Sequence, residues 1–148
     1  MPENSFIVFV KTLLHHNPVR LATKISIPAD CGNSPRKRFI KDVLVAIAEG
    51  DSAQLLKLVP NEPSWDFVRK STRPKRPLSF AMTLEKSALW KAKTLEVNTI
   101  ITHGPDASVD GTVTTSKGSL IAFCHIISFT GAGGFKIKSV RSFIIEAG

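Results

Sequence analysis

Two runs of β-branched and aromatic residues, joined by a glycine-rich loop, constrain the fold more than any other feature of this chain. The runs span residues 119–129 and 135–146, and three of the five loop residues between them are glycine. Glycine adopts the positive φ angles that tight chain reversals need, so the pattern predicts a β-hairpin.

The first strand of this hairpin is apolar on both faces. Because side chains alternate along a strand, one face carries Phe123, His125 and Ile127, and the other carries Cys124 and Ile126. Apolar side chains on both faces must be shielded from water. Helices of the chain can shield one face, and a partner can shield the other. We therefore predict a homodimer that forms through the face bearing Cys124 and Ile126.

Length and composition limit the class of protein. The chain has 148 residues, enough for one domain with its own core, and 20 Lys and Arg against 12 Asp and Glu give a net charge of +8. The 2 cysteines have no metal-ligand spacing, so we predict neither a metal nor a cofactor. The apolar run at residues 6–10 is too short to span a membrane and lacks the flanks of a secretory signal, which predicts a cytoplasmic protein.

Three helices are predicted in the first two thirds of the chain. Ser34 and Pro35 are typical of an N-cap and a first helical residue, and apolar residues then recur at helical spacing until Gly50. Asp51 resembles the start of a capping box for a second, shorter helix that ends before Pro60. A third helix is predicted over residues 78–90.

Strands occupy most of the remainder. Residues 1–30 are interpreted as an N-terminal arm with one or two strands, and residues 31–148 as the main domain. A short strand is predicted over 64–68, and longer ones over 96–103 and 108–115, before the closing hairpin. Helices followed by sequential strands are typical of an α+β fold in which a curved antiparallel sheet wraps around the helices and leaves a blind pocket.

Several motifs resemble one superfamily. The segments 47–51, 65–68 and 129–133, in this order and spacing, are similar to the nuclear transport factor 2-like superfamily, and most similar to its SnoaL-like group in an uncharacterised bacterial branch. The resemblance covers about residues 30–147. It implies a cystatin-like cone, with three N-terminal helices inside the curved sheet. A fold of this kind hosts unrelated activities and does not itself define a function.

The related ketosteroid isomerases and polyketide cyclases suggest where a site would lie. By this resemblance, His125 occupies the position of a protonated acid and Asp66 lies near the position of the catalytic base, although a one-residue slip would turn Asp66 to the other face. The tyrosine position falls on Val43, and the chain contains no tyrosine. An Asp66 and His125 pair would perform acid/base chemistry on a carbonyl compound.

Both residues also have a structural interpretation. His125 fits a neutral core histidine, and Asp66 fits a solvent-facing strand residue. The predicted lining of the pocket is Phe39, Val43, Trp65, Phe123 and Ile127. A rim that attracts anions is predicted at Arg69, Arg73 and Arg76.

The resulting functional hypothesis is an uncharacterised SnoaL-like protein that binds a small, mainly apolar ligand in the cone pocket. Isomerase- or cyclase-like turnover is left open. The alternative is a non-catalytic dimeric module for binding or assembly. Nucleic acid is disfavoured as a partner, because the basic segment 69–76 has no interleaved aromatic residues and no recognition helix.

Overall fold

The longest helix begins and ends at the predicted signals. In the computed structural model, which describes residues 6–10, 22–29, 34–68 and 79–146, helix α1 spans Pro35–Glu49. The Ser34 hydroxyl accepts a hydrogen bond from the backbone N–H of Lys37, and Gly50 closes the helix with a φ of 68°. Both caps are of the expected chemical type, so the N-cap and C-cap predictions are confirmed.

The two other helices are short. Helix α2 spans Ser52–Leu58, and the Asp51 carboxylate caps it by accepting from the N–H of Gln54. Helix α3 spans only Phe80–Glu85, so the prediction of a helix to residue 90 was wrong. The hydroxyl of Ser87 donates to the carbonyl of Leu84 at 2.7 Å, and a side chain that bonds the backbone in this way competes with helix continuation.

The seven strands of the described residues form one curved sheet with helices on one face. The spatial order is β1-β2-β4-β5-β6-β7-β3. The strand bounds are β1 Phe6–Val10, β2 Lys24–Pro28, β3 Ser64–Phe67, β4 Thr94–His103, β5 Asp106–Thr114, β6 Leu120–Phe129 and β7 Ile137–Glu146. The predicted hairpin is confirmed as β6 and β7.

The sheet is mixed: most neighbouring strands pair in antiparallel, as predicted, and two pairs of strands are parallel. Strands β4 to β7 form an antiparallel meander, but β2 pairs in parallel with β4, and β3 pairs in parallel with β7. Strands β1 and β2 come from the predicted N-terminal arm and extend the sheet beyond β4. Strand β3 can run parallel because α3 and three further strands separate it in sequence from β7.

One core lies between the helices and the inner face of the sheet. Strand β6 shows strict alternation: its odd-numbered residues from Ile121 to Phe129 are buried, and its even-numbered residues are partly or fully exposed. We call the face that points away from the helices the outer face. The inner face of β6 packs with apolar side chains of α1, including Ile40, Leu44 and Ile47, in one buried cluster.

A buried arginine fastens the start of α1 to two loops. The guanidinium of Arg36 donates from Nη1 to the carbonyl of Gly104 at 2.6 Å, and from Nη2 to those of Gly131 and Gly134 at 2.9 and 2.6 Å. Its carbon Cζ lies 4.3 Å from the ring centroid of Phe129. The side chain thus holds the β4–β5 turn and the β6–β7 loop against the helix.

Candidate functional site: a buried histidine in the cone

His125 lies at the middle of β6 on the inner face and is 1% exposed. Its neighbours in register are Val109 on β5 and Ser142 on β7. It stacks on Phe123 with a centroid distance of 4.9 Å and meets the edge of Trp65 at 5.8 Å. The ring is therefore held between two aromatic side chains.

Three side chains form a hydrogen-bonded chain across β3, β7 and β6. The indole N–H of Trp65 donates to the hydroxyl oxygen of Ser142 at 2.8 Å. The same oxygen lies 2.6 Å from Nδ1 of His125. The other ring nitrogen, Nε2, is buried and has no hydrogen-bond partner among the described residues.

Burial keeps the imidazole neutral. Removal of the ring from water disfavours the charged form and lowers the pKa of His125 from 6.5 to about 3. At neutral pH the ring therefore offers one N–H donor and one nitrogen acceptor.

A small cavity adjoins His125 inside the cone. Its volume is about 10 Å³, which is close to the minimum for a single water molecule. The lining comprises Leu44, Ile47, Ala48, Leu89, Leu95, Val113, Phe123 and His125. The histidine is the polar side chain of this set, so the cavity is an apolar recess with one polar group in its wall.

The predicted pocket residues lie in different parts of the interior. Phe123 lines the cavity with His125. Val43 and Ile127 are buried in the core but are not part of the lining, and Phe39 packs on Phe129 with a centroid distance of 6.2 Å. Trp65 does not line the cavity, but it contacts His125 and donates a hydrogen bond to Ser142.

Asp66 does not lie near His125. The parallel register pairs Trp65 with buried Val140 and Asp66 with exposed Arg141, so Asp66 is exposed on the outer face. Because side chains alternate, Trp65 and Asp66 must point to opposite sides of β3. The acid/base pair that the resemblance implied is not brought together in this structure.

The sequence did not identify Ser142 or several of the apolar residues that line the cavity. Leu44, Ile47 and Ala48 share the helical spacing that marks one face of α1, so this periodicity could have placed them together. Ser142 had no comparable signal, since its pairing with His125 depends on a register shift near Ser128 in the hairpin.

The rim residues Arg69, Arg73 and Arg76 lie outside the described residues, as does Cys31. Within the described part of the chain, no cluster of His, Cys, Asp and Glu side chains could hold a metal ion. The helices described here are all too short or too polar to cross a membrane.

Solved structures of low sequence identity share the architecture. An NTF2-like protein of unknown function from Burkholderia xenovorans LB400 matches with a TM-score of 0.59 and 15% identity, over 76% of this chain and 84% of that chain. A second, from Cytophaga hutchinsonii ATCC 33406, matches with a TM-score of 0.53 and 12% identity, over 74% and 89%. The fold is nuclear transport factor 2-like. The fold that the sequence motifs implied is thereby confirmed.

A third match is to an enzyme. SalBIII, described as epoxide hydrolase/cyclase-like with a role in pyran ring formation in the polyether salinomycin, gives a TM-score of 0.51 at 14% identity. The match covers 74% of this chain and 90% of SalBIII. No model of a known protein family matches the chain, and no curated protein sequence matches it. The nuclear transport factor 2-like fold is therefore shared with these proteins, and a shared fold does not by itself define a function.

Proposed function

We propose that this protein binds a small, mainly apolar molecule inside the nuclear transport factor 2-like cone, at His125. The observation that carries the proposal is the unpartnered Nε2 of a fully buried imidazole beside an apolar cavity. A buried polar atom without a partner costs about 1–3 kcal/mol, and an aliphatic side chain would avoid this cost. A ligand atom that bonds Nε2 would remove it.

The ligand must widen the recess, because a volume of about 10 Å³ admits no more than a water molecule. Leu89 is the lining residue best placed to move, since it lies in the connection between α3 and β4. Backbone hydrogen bonds of the next two residues, from Trp90 to Ser87 and from Lys91 to Ile47, are both 3.3 Å long. Weak bonds of this length favour local displacement of the connection over movement of α1 or the sheet.

The proposed function is binding of the ligand, without its chemical conversion by an Asp66 and His125 pair. Asp66 lies on the outer face, and the pKa of His125, lowered to about 3 by burial, makes the ring a poor proton donor or acceptor near neutral pH. Stabilisation by a ligand is the direct measure of this function.

Filling of the recess is expected to abolish binding. Ala48→Leu adds three carbon atoms to the cavity wall on α1, whereas Ala53→Leu makes the same change at an exposed position of α2. With a ligand from a panel of neutral aromatic and aliphatic compounds at about 100-fold its Kd, wild type and Ala53→Leu should gain about 2.7 kcal/mol of unfolding free energy. Ala48→Leu should gain none. Circular dichroism establishes that each variant is folded, and equal stabilisation of all three proteins would contradict the site.

A second proposed function is assembly, favoured by the exposed apolar side chains of the outer face. Phe143 is 39% and Ile145 is 68% exposed, and they pair in register with the smaller Cys124 and Ala122 of β6. Large side chains beside small ones on adjacent strands can interdigitate with a second copy across a two-fold axis. Four strands about 4.8 Å apart and about ten residues long offer roughly 600 Å², close to the ~800 Å² per copy of a standard interface.

A charge on the outer face, beside Cys124, is expected to dissociate this homodimer. Phe143→Lys should shift the protein to the monomer in sedimentation velocity runs over a concentration series, because a lysine would be buried without a partner. Leu56→Lys is the matched control, since Leu56 is 50% exposed on α2, away from the outer face. A wild-type monomer at all concentrations, or equal dissociation of both variants, would exclude this interface.

A further inference from the structure

The direction of each hydrogen bond in the Trp65, Ser142 and His125 chain can be assigned from its chemistry. An indole N–H can only donate, so the oxygen of Ser142 accepts from Trp65. The serine hydroxyl hydrogen then needs an acceptor of its own. Among the described residues, the one remaining partner of this oxygen is Nδ1 of His125, at 2.6 Å.

This assignment fixes the tautomer of the histidine. If Nδ1 accepts from Ser142, the proton of the neutral ring must reside on Nε2. The opposite arrangement, with a proton on Nδ1, would give Ser142 two donors and leave its own buried hydroxyl hydrogen unpaired, because the serine is 0% exposed. The atom without a partner in the cone is therefore an N–H donor.

The surroundings of this donor exclude charged ligands. The seven other residues that line the cavity are all apolar, and none of them would neutralise a carboxylate. Transfer of an ion into such a recess is unfavourable without a counter-charge. The surfaces that remain available to a ligand are apolar walls and a single neutral donor.

We infer that Trp65 and Ser142 are positioning residues that fix His125 as the Nε2–H tautomer, so that the cone selects uncharged, mainly apolar molecules that carry a carbonyl, ester or ether oxygen. This inference rests on the proposed binding function and adds the chemical class of the ligand. The oxygen of such a ligand accepts from Nε2, and its apolar body replaces the side chains that close the recess.

The tautomer is tested without a ligand, by two-bond proton–nitrogen correlation spectra of the ¹⁵N-labelled protein. In the wild type, Nε2 of His125 should resonate as a protonated nitrogen and Nδ1 as an unprotonated one. Trp65→Phe removes the indole donor and frees the serine oxygen to accept from Nδ1, and Ser142→Ala removes the hydroxyl. Trp65→Phe should populate the Nδ1–H tautomer, and Ser142→Ala should give a mixture of the two tautomers, because neither ring nitrogen then has a partner among the described residues.

Trp90→Phe is the matched control, because Trp90 also packs against the core but has no bond to Ser142. It should leave the His125 resonances as in the wild type. A wild-type ring protonated on Nδ1, or unchanged tautomers in both Trp65→Phe and Ser142→Ala, would overturn the positioning role.

The ligand class is tested with three compounds of nearly equal shape. Acetophenone carries a carbonyl oxygen, α-methylstyrene replaces it with carbon, and benzoate replaces the methyl ketone with an anion. Acetophenone should bind the wild type about tenfold more tightly than α-methylstyrene, the effect of one hydrogen bond of ordinary strength. Benzoate should bind most weakly of the three. In Ser142→Ala the preference for acetophenone should be smaller than in the wild type, because the Nε2–H tautomer is no longer fixed before the ligand binds.

The outcomes separate the ligand class from the binding function. If α-methylstyrene or benzoate binds as tightly as acetophenone and Ala48→Leu abolishes that binding, the class is wrong and the proposed binding function stands. If Ala48→Leu leaves the binding of all three compounds unchanged, or if none of them binds the wild type, the proposed function fails together with the class. The nitrogen spectra still decide the positioning role in that case.

Discussion

From about pH 7.5 to about pH 4.5, His125 alone is expected to lower the unfolding free energy of this protein by about 3 kcal/mol. Burial lowers the pKa of the folded-state imidazole from 6.5 to about 3. In the unfolded chain the ring is hydrated and binds its proton near pH 6.5. Between about pH 3 and pH 6.5, the unfolded chain therefore binds a proton at His125 that the folded protein does not bind.

The direction of the effect follows from this difference. Below pH 6.5 the unfolded state binds a proton that the folded state does not, so acid favours unfolding and stability rises with pH. Above pH 6.5 neither state is protonated at His125, and the contribution is constant. Each pKa unit corresponds to about 1.4 kcal/mol, so the full loss reaches roughly 5 kcal/mol once the pH falls below the pKa of His125 in the folded state.

Urea denaturation across this pH range, on the wild type and on His125→Leu, measures the effect. The variant cannot titrate at this position, and its profile should be flatter by about 3 kcal/mol between the same two pH values. Near pH 7.5 it should be within about 1 kcal/mol of the wild type, because loss of the bond to Ser142 is offset by removal of the unpartnered Nε2. His103→Leu, at an exposed strand end, controls for the loss of one histidine. If both variants flatten the profile equally, burial of His125 is not the cause.

Local chemistry in the sequence was sufficient to locate most elements. Helix α1 begins after Ser34 and ends before Gly50, because caps satisfy backbone groups within a few residues. The alternation of β6 placed His125 on the buried face with Phe123. These features depend on neighbours along the chain, and no knowledge of distant contacts was needed.

The site itself depends on distant contacts that the sequence does not specify. The direction of Asp66 follows from the parallel pairing of β3 with β7, and a shift by one residue would reverse it. The bond between His125 and Ser142 depends on the hairpin register. The small size of the cavity depends on how Leu89 and the helix side chains meet the sheet, which helical periodicity alone leaves undetermined.

Gly111→Ala is expected to destabilise the protein by roughly 3 kcal/mol, at the upper end of the range for overpacked interiors. Gly111 is buried on the inner face of β5, beside the irregular pairing of β4 near Val97. A Cβ atom at this position would overlap the backbone carbonyl oxygen of Glu96 and would lie 2.9 Å from Cζ of Phe123. Rotamer changes of Phe123 would relieve only the second contact. The backbones of β4 and β5 would have to separate, which weakens the ladder between them.

Gly133→Ala provides the matched control for this substitution. A Cβ atom at Gly133 in the β6–β7 loop would have no atom within 4 Å, and its φ is not among the positive values of the described glycines. Its stability in guanidinium denaturation should therefore lie within about 0.5 kcal/mol of the wild type. Because Phe123 also lines the cavity and stacks on His125, Gly111→Ala should in addition shift the His125 nitrogen resonances, whereas Gly133→Ala should not. Equal stability of the two variants would show that the sheet at Gly111 can accept a methyl group, and that the close approach of β4 to β5 there does not require glycine.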